Sequence, residues 1–313
     1  MRAFTKADSP VSTSAVAGPE LFEQTVPRRL VHRAAVSEVL ITGARRAGGV
    51  HQVGAQWSRG HSYYSPVSGR WHDPMLLAET IRQAGILLGH EVLDVPLGHC
   101  FLSKHASFEM SEDGARLDDR PAEIVLMVRV HDVTRRGRSV SYEYEVECHR
   151  DGRHIGSGRM GGSCVPQALY RRLRGDRVGA VLPKAAADPV VPELVGRADE
   201  ADVVLGETGV AGVWTLRAEP DHPVLFDHPV DHIPGMVVME AGRQAALAAL
   251  GQPGGLLVGC AGEFEQYVEF DPLCLVSADV VGRDARGRDR VRVSFHQGGA
   301  LAARCDIDIL PTA

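Results

Sequence analysis

Several common signatures are missing from this 313-residue sequence, and each absence argues against a class of protein. No apolar run is long enough to cross a bilayer as a helix, which argues against an integral membrane protein. The six cysteines show no Cys-x-x-Cys spacing, so neither a zinc site nor an extracellular disulfide framework is expected. No Gly-x-Ser-x-Gly motif marks a nucleophilic serine. A formal net charge of −6 leaves no overall positive field for nucleic acid or an anionic membrane.

The N-terminal segment 1–25 is polar and interrupted by proline and glycine, and it lacks the apolar stretch of a secretory signal peptide. We therefore expect a disordered start, a cytoplasmic protein and reduced, packed thiols. The composition calls for no cofactor and no resident metal.

Two stretches 160 residues apart have almost the same sequence. Residues 72–84 read HDPMLLAETIRQA and residues 232–245 read HIPGMVVMEAGRQA, so one gap at Gly235 aligns His72 with His232 and Pro74 with Pro234. Such self-similarity indicates a tandem duplication. In each copy a proline precedes an apolar run, which predicts a helix that starts at the proline and is buried on nearly all sides. The predicted helices run from Pro74 to about residue 90 and from Pro234 to about residue 250.

The rest of each copy reads mainly as strands. Aspartate and glycine at 151–152 separate two apolar-alternating runs, which is a strong hairpin signal. Strands are predicted at 31–42, 50–57, 97–110, 122–133, 139–149, 155–165, 203–205, 213–218, 256–270, 273–281, 289–295 and 300–310. A helix wrapped by an antiparallel sheet, present twice, predicts an α+β double hot dog in which the two sheets join edge to edge and the helices lie side by side. The expected units are repeat 1 at 26–165, a linker at 166–202 and repeat 2 at 203–313.

The segment before the second helix is rich in groups that transfer protons. Residues 221–232 contain three histidines and three aspartates, whereas the first copy offers only a possible counterpart of His222 at His61. In the helices, Glu240 and Arg243 lie one turn apart, as do Glu79 and Arg82. Each pair is either a self-satisfied buried ion pair or part of a substrate cleft between the repeats. Free N–H groups at the second helix start would meet a carbonyl oxygen in such a cleft.

Residues 226–241, FDHPVDHIPGMVVMEA, closely resemble the signature of the A-factor biosynthesis (AfsA-type) proteins, the γ-butyrolactone signal synthases of filamentous actinobacteria. The first-copy motif and the chain length fit the same family, so the resemblance covers about residues 25–313. The shorter piece PGMVVMEA also looks like the central helix of β-hydroxyacyl-carrier-protein dehydratases. The resemblance implies an acyltransferase that condenses a β-ketoacyl thioester, carried on acyl carrier protein, with the hydroxyl of dihydroxyacetone phosphate. The resulting ester can cyclise to a butenolide phosphate.

This implied reaction assigns provisional roles to the residues singled out above. His228 is the first choice for the general base and His232 the second, and Glu240 is expected to orient the histidine or hold the alcohol. The N–H groups of Gly235 and Met236 are candidates for oxyanion stabilisation. For the substrate phosphate the candidates are Arg243 and Arg82. The possible first-copy counterparts are His72 and Glu79.

Two other functions remain open on the sequence. A dehydratase or thioesterase on the same fold would use the same histidine and glutamate on an acyl thioester. A non-catalytic protein that binds a lactone or acyl group is the second alternative. No nucleic-acid or membrane partner is expected, and the chain is expected to act as a monomeric pseudo-dimer or as a homodimer. Acyl length and branching stay undetermined, since pocket depth depends on how strands and helices meet.

Overall fold

The computed structural model of the protein describes residues 18–181, 183–184 and 187–312. Most of the expected disordered start, residues 1–17, lies outside the described residues; beyond it, Leu21 is buried in a short 3-10 turn. The first half contains the elements β1 Ile41–Ala47, β2 Val50–Trp57, α1 Met75–Glu91, β3 Cys100–Met110, α2 Glu112–Ala115, β4 Ala122–Arg136, β5 Ser139–Arg150 and β6 Arg153–Val165.

The second half repeats this order after one additional helix. Its elements are α3 Gln167–Arg174, β7 Leu205–Glu207, β8 Val213–Leu216, α4 Gly235–Leu250, β9 Leu256–Phe264, β10 Cys274–Arg283, β11 Asp289–Gln297 and β12 Ala300–Leu310. Both predicted long helices are confirmed to within one residue at each end. Among the described residues, no helix is both long enough and apolar enough to cross a membrane.

The strands form one twelve-stranded antiparallel sheet in the order β1-β2-β4-β5-β6-β3-β9-β12-β11-β10-β8-β7. Read inward from either edge, the order of equivalent strands is the same, as expected of two copies related by a pseudo-twofold axis. The halves meet where β3 pairs with β9, with Ala106 opposite Gly262. The double hot dog and the edge-to-edge junction are therefore confirmed.

The strands pack against the two helices through alternate side chains, because successive residues of a strand point to opposite faces. In β5, Tyr142, Tyr144 and Val146 are buried. The two tyrosine hydroxyls donate to backbone oxygens of α1, at 2.8 Å to Gly85 and 3.0 Å to Ile81. The rings are thus buried while each hydroxyl group keeps a hydrogen-bond acceptor.

Local turn chemistry also follows the predictions. The hairpin between β5 and β6 turns at Asp151 and Gly152, both with positive φ (50° and 74°), as a tight two-residue hairpin requires. Helix α4 ends at Leu250, and the left-handed conformation of the next residue, Gly251 (φ 62°), lets its N–H reach back to the carbonyl oxygens of Leu247 and Ala248.

One prediction about local structure is wrong, and one segment carries more structure than its composition indicates. The stretch 31–42 is not a strand: it contains a 3-10 turn at Val36–Glu38, and β1 begins only at Ile41. Its apolar residues do not share one face of a sheet: Val36 is exposed, whereas Val39 and Leu40 are buried. The segment 166–202 carries α3 and further 3-10 turns, and it buries Arg174 and Arg197 in the second half. It therefore contributes to the interior as well as linking the two copies.

The register of the duplication also differs from the aligned motifs. The backbone N–H of His72 donates to Ala115, and that of Ile233 donates to Val268, in each case seven residues before the helix glutamate. His61 and His222 likewise accept from the two N–H groups that lie two and three residues further on. These equivalences hold a constant offset of 161 residues from His61 to Glu79, with no gap. His72 therefore corresponds to Ile233, not to His232.

Candidate active site

Each long helix presents a glutamate that is held by two arginines and a glutamine. In the first half, Glu79 accepts from Arg33 at 2.6 Å, from both Nε and NH2 of Arg82 at 2.8 Å, and from Gln83 at 2.7 Å. Although burial opposes ionisation, the charges of Arg33 and Arg82 lower the pKa of Glu79 to about 2. One buried carboxylate thus accepts from two guanidinium groups, and Arg33 has a second carboxylate, Asp227, at 3.4 Å.

The second half repeats this arrangement with equivalent residues. Glu240 accepts from Arg197 at 2.8 Å, from Arg243 at 2.7 Å and from Gln244 at 2.7 Å. Burial again opposes ionisation, but the two arginines lower the pKa of Glu240. Gln83 and Gln244 also make matching bonds, accepting from the backbone N–H of Leu40 and of Val204, respectively.

A single position just before each helix makes the two clusters different. Asp73 precedes α1 and accepts from NH1 of Arg243 at 3.0 Å, and its other oxygen accepts from the backbone N–H of Met75 at 2.9 Å. The equivalent residue before α4 is Pro234, which has no side-chain acceptor. Arg243 and the first turn of α1 are therefore committed to Asp73.

Because Pro234 has no acceptor, the donors equivalent to Arg243 and to the first turn of α1 are left uncommitted. Among the described residues, NH1 of Arg82 and the backbone N–H groups of Gly235 and Met236 have no hydrogen-bond acceptor. A charged donor and two helix N-terminal amides are therefore available to a ligand. Glycine at 235 allows a close approach to β9, since a Cβ there would lie 3.1 Å from the Phe264 ring.

A second pair of equivalent positions, Tyr63 and Val224, carries side chains of different size. Arg197 donates to the carbonyl oxygen of Tyr63 at 2.6 Å and lies 4.0 Å over the Tyr63 ring. Arg33 makes the equivalent bond to the carbonyl oxygen of Val224 at 3.3 Å. The fully buried tyrosine fills the space beside Arg197, whereas valine leaves space beside Arg33.

That space is a cavity of about 440 Å³ between the two halves. It is bounded by α1 and β3 of the first half, and by the segment before α4, the first turns of α4 and the end of β9 from the second. Its polar wall residues include His32, Arg33, Tyr64, Arg82, Ser103, His228, His232, Glu265, Gln266 and Tyr267. The volume suits a small or medium-sized ligand with a few fixed polar groups.

One aspartate–histidine pair on this wall is formed by Asp227 and His228. Nδ1 of His228 donates to Asp227, which also accepts from the backbone N–H of Ala34 at 2.8 Å and lies 3.4 Å from Arg33. Although burial opposes it, the His228 bond and the Arg33 charge lower the pKa of Asp227 to about 2. With Nδ1 held by the carboxylate, Nε2 of His228 is free to accept a proton.

A second pair, Asp231 and His232, lies four residues further along. Nδ1 of His232 donates to Asp231 at 2.8 Å, and Asp231 also accepts from the Tyr170 hydroxyl at 2.5 Å. Arg174 contributes two bonds, to a carboxylate oxygen of Asp231 at 3.4 Å and to its carbonyl oxygen at 2.8 Å. Burial lowers the pKa of His232, although the bond to Asp231 opposes this. The geometry favours a neutral imidazole whose Nε2 accepts.

A third histidine, His32, completes the polar wall. His90 must donate from Nδ1 to the carbonyl oxygen of Val95 at 2.7 Å, so its Nε2 accepts from Nε2 of His32 at 2.9 Å. Burial, together with the nearby His90 and Arg82, lowers the pKa of His32 to about 3. His32 is therefore neutral at physiological pH, and its tautomer is set by His90.

The structure brings together five of the residues expected from the sequence: His228, His232, Gly235, Met236 and Arg82 all line the cavity. It places the others elsewhere, and His222, left open as a third possible base, is bound to Asp202 at 3.0 Å outside the lining.

Glu240 and Arg243 are buried behind the cavity wall and do not line the cavity; Arg243 donates to Asp73 and Glu240, and its Nε has no acceptor among the described residues. Their expected roles in catalysis and phosphate binding therefore do not fit their positions.

The expected first-copy counterparts also lie away from the cavity lining. His72 is buried beside the Trp57 ring, and burial and the nearby Arg150 lower its pKa to about 4. Glu79 does not line the cavity itself, but it fixes Arg33 and Arg82, which do. Within the described residues, no group of three histidines, cysteines or acidic residues is arranged to hold a metal ion.

Sequence reasoning missed several residues of this site, and four of them hold charges or histidines in place: His32, Arg33, Tyr170 and Arg174. The first two lie in a stretch misread as a strand, and the last two in the segment expected to be a linker. One signal was available, because Arg33 and Arg197 precede their helix glutamates by 46 and 43 residues in similar surroundings. A single pair at unequal spacing is too weak to detect without the fold.

Comparison with known proteins identifies the family that has this architecture. The model of the A-factor biosynthesis hotdog domain matches residues 15–166 and 180–313. The chain belongs to the A-factor biosynthesis hotdog family.

Relatives within the family share much of their length with this chain. The 2-oxo-3-(phosphooxy)propyl 3-oxoalkanoate synthase of Streptomyces virginiae is 43% identical over 90% of the chain and 96% of the relative. A protein of the same name from Streptomyces coelicolor is 34% identical over 89% of the chain and 90% of the relative. Another, from Streptomyces griseus, is 37% identical over 76% of the chain and 80% of the relative.

Proposed function

We propose that this chain is an acyltransferase that forms a 2-oxo-3-(phosphooxy)propyl 3-oxoalkanoate. It transfers a 3-oxoacyl group from a thioester to the hydroxyl of dihydroxyacetone phosphate. The observation that carries the proposal is the convergence, on one cavity, of two aspartate–histidine pairs, an uncommitted arginine donor and two free helix amides. The names of the relatives support the same product.

The phosphate end of the acceptor is assigned to Arg82 beside Arg33. Arg82 is 19% exposed and uses only Nε and NH2 on Glu79, so NH1 can donate to a phosphate oxygen. Arg33 is paired with two carboxylates, Glu79 and Asp227, so Arg82 is the guanidinium of this wall that keeps a donor for an anion. Arg33 is more enclosed and serves mainly to hold Glu79 and Asp227 in place.

The thioester carbonyl is assigned to the start of α4. Its oxygen becomes negatively charged when the carbonyl carbon is attacked, and the amides of Gly235 and Met236 can donate to it. The positive end of the helix dipole favours the same charge. Helix α1 cannot supply an equivalent site because Asp73 already occupies its first free amide.

The two histidines have different tasks. Nε2 of His228, beside the Arg33 side of the wall, takes the proton of the acceptor hydroxyl as its oxygen attacks the thioester carbon. The carbon–sulfur bond then breaks, and His228, now an imidazolium, returns this proton to the departing thiolate. His232 is neutral, and its accepting Nε2 can hold the acceptor hydroxyl in place. No acyl-enzyme is needed. The ester formed can later close by its own aldol chemistry to a butenolide phosphate.

The acyl chain is assigned to an inner extension of the cavity. A space of about 80 Å³ continues past Arg82, Phe101 and Met160 toward Tyr142 and Tyr144, between α1 and the sheet. Its floor is closed by tyrosine rings whose hydroxyls are bound to α1. We infer that this floor limits chain length. All these walls come from one chain, so we propose a monomeric pseudo-dimer as the catalytic unit.

The experiment combines purified protein with a 3-oxooctanoyl thioester, with and without dihydroxyacetone phosphate, and identifies products by mass spectrometry. The phosphorylated ester should form only with both substrates. His228→Ala should reduce its rate by roughly 10² to 10⁴-fold, the usual contribution of a general base. His154→Ala, at the exposed hairpin tip remote from the cavity, is the matched control and should keep full activity.

Two outcomes would contradict the proposal. Thioester loss that proceeds equally well without dihydroxyacetone phosphate would indicate a hydrolase or a dehydratase. Binding of the acyl compound without turnover, unchanged in His228→Ala, would indicate a non-catalytic acyl-binding protein.

A further inference from the structure

Helix α3 has an exposed face that combines positive charge with apolar side chains. Arg171 and Arg172 are exposed, and Leu169 and Leu173 are 38% and 59% exposed. Arg172 and Leu173 lie three and four residues after Leu169, so these three side chains share one face of the helix. Exposed leucines flanked by arginines are typical of a surface that binds another protein.

The opposite face of α3 fixes the helix to the active site. Tyr170 and Arg174 both bind Asp231, which orients His232. Arg174 also makes a two-bond pair with Glu269, at 2.6 and 2.7 Å, and lies 4.2 Å over the Tyr267 ring. The exposed face is therefore held rigidly beside a cavity wall that contains Tyr267 and His232.

A second open groove lies next to this cavity. It has a volume of about 460 Å³ and is lined in part by Gln266, Tyr267, Glu269 and Arg177. Gln266 and Tyr267 also line the active cavity, so the two spaces share a wall. Arg177 stands in the groove, half-exposed, with Glu269 at 3.5 Å. The groove therefore adjoins the active cavity at Tyr267 and contains a cation, Arg177, just beyond α3.

We propose that α3 docks an acidic acyl carrier protein and that the phosphopantetheine arm of this carrier reaches the cavity through the groove past Tyr267. This proposal rests on the proposed function, which requires a thioester donor. The whole chain has a net charge of −6, so an acidic partner is repelled by most of the surface and attracted to a local basic cluster. The phosphodiester of the arm is anionic, and Arg177 offers it a counter-charge in the groove.

The surface also explains the placement of apolar residues that face water. An acidic carrier that contacts α3 with an amphipathic helix would cover Leu169 and Leu173 while its carboxylates meet Arg171 and Arg172. Charge at the rim of such a contact mainly sets the association rate, and the covered leucines slow dissociation. A small thioester has no such partner surface and depends on the cavity alone.

The test compares the double variant Arg171→Glu/Arg172→Glu with wild type on two donors. One donor is 3-oxooctanoyl loaded on a purified acidic bacterial acyl carrier protein, and the other is the same acyl group on N-acetylcysteamine. We expect the variant to raise the KM for the protein-bound donor by roughly tenfold or more, because two attractive contacts become repulsive. Turnover of the N-acetylcysteamine donor should stay at the wild-type value, which also shows that the variant is folded.

A control with the same change in charge separates docking from a general field effect. Arg46→Glu/Arg286→Glu alters an exposed arginine on β1 and one in the turn between β10 and β11, at the opposite end of β11 from the groove residue Gln297. This control should bind and use the loaded carrier like wild type. A KM increase equal to that of the α3 variant would overturn the docking assignment.

Direct binding of the loaded carrier, measured by calorimetry, keeps the two proposals distinguishable. If wild type converts neither donor, the proposed function fails, and the docking site is still judged by whether the α3 variant binds the carrier more weakly than the control does. Equal binding by both variants, or no binding by wild type, would overturn the docking proposal even if the N-acetylcysteamine donor is turned over normally.

Discussion

The same substitution should have different effects at two equivalent arginines: a loss of stability at Arg243 and a loss of substrate binding at Arg82. Arg243 is only 6% exposed and is bound by Asp73 and Glu240, whereas Arg82 is 19% exposed and keeps one end free toward the cavity. Replacing each by glutamine therefore separates a structural ion pair from a ligand contact. Position in the pseudo-symmetric fold, rather than residue type, determines the outcome.

For Arg243→Gln the expected effect is on stability. The change leaves Asp73 without its 3.0 Å donor and removes one of the two cations that balance Glu240, all in the interior. Breaking a buried ion pair by removing one partner costs about 3–5 kcal/mol. In a chain of this length 1 kcal/mol corresponds to about 2 °C, so the melting temperature should fall by roughly 6–10 °C. The KM for dihydroxyacetone phosphate should change little.

For Arg82→Gln the expected effect is on substrate binding. Glu79 keeps Arg33 and Gln83, so the loss of stability should be limited to about 1–2 kcal/mol. A charge-assisted bond to the phosphate contributes about 1.5–3 kcal/mol, which corresponds to a rise in KM of about 10- to 150-fold.

The assays are thermal unfolding by circular dichroism and the KM for dihydroxyacetone phosphate at a fixed concentration of 3-oxoacyl thioester. The reasoning would be refuted if Arg243→Gln melted at the wild-type temperature yet lost affinity for dihydroxyacetone phosphate. An unchanged KM in a folded Arg82→Gln protein would refute it equally.

The same geometry gives three further predictions. The pKa of Glu79 is lowered from 4.5 to about 2 in the folded protein, so its contribution to stability is fully present above pH 4.5 and is lost as the pH falls toward 2. In urea unfolding, Glu79→Gln should therefore be less stable than wild type by about 3 kcal/mol at pH 6. The difference in the free energy of unfolding should be smaller at pH 3. A difference that does not change with pH would contradict the ionised state of Glu79. Val224→Tyr installs the equivalent of Tyr63 beside Arg33 and should abolish ester formation while the protein still unfolds cooperatively, and retained activity would show that this space is not the acceptor site. The reverse change, Tyr63→Val, should cost about 3–5 kcal/mol through the loss of a fully buried ring without adding activity.

Much of the fold could be predicted from the sequence because its signals are local. Proline followed by an apolar run specified the starts of α1 and α4, and alternation together with the turn at Asp151 and Gly152 specified β5 and β6. A repeated motif then implied two copies of one unit. Stretch 31–42 was misread because part of its apolar run forms a 3-10 turn at Val36–Glu38, which composition alone does not distinguish from a short strand.

The candidate site was predicted only in part. Local density of histidine and aspartate pointed to His228 and His232, and the helix start pointed to Gly235 and Met236, all of which line the cavity. Arg33, by contrast, meets Glu79 across 46 residues of chain. No periodic pattern carries such a contact, since it depends on how the N-terminal segment crosses α1.

By itself, the sequence determined that two copies of a helix-and-sheet unit exist and that each helix carries the same Glu-x-x-Arg-Gln group. Only the tertiary structure decided which copy forms a site. The duplication keeps both clusters nearly identical in residue type, so local patterns cannot distinguish them. Their difference arises where each half covers the other. Asp73 binds Arg243 and Tyr63 fills the space beside Arg197, whereas the equivalent Pro234 and Val224 leave the other cluster open to a ligand.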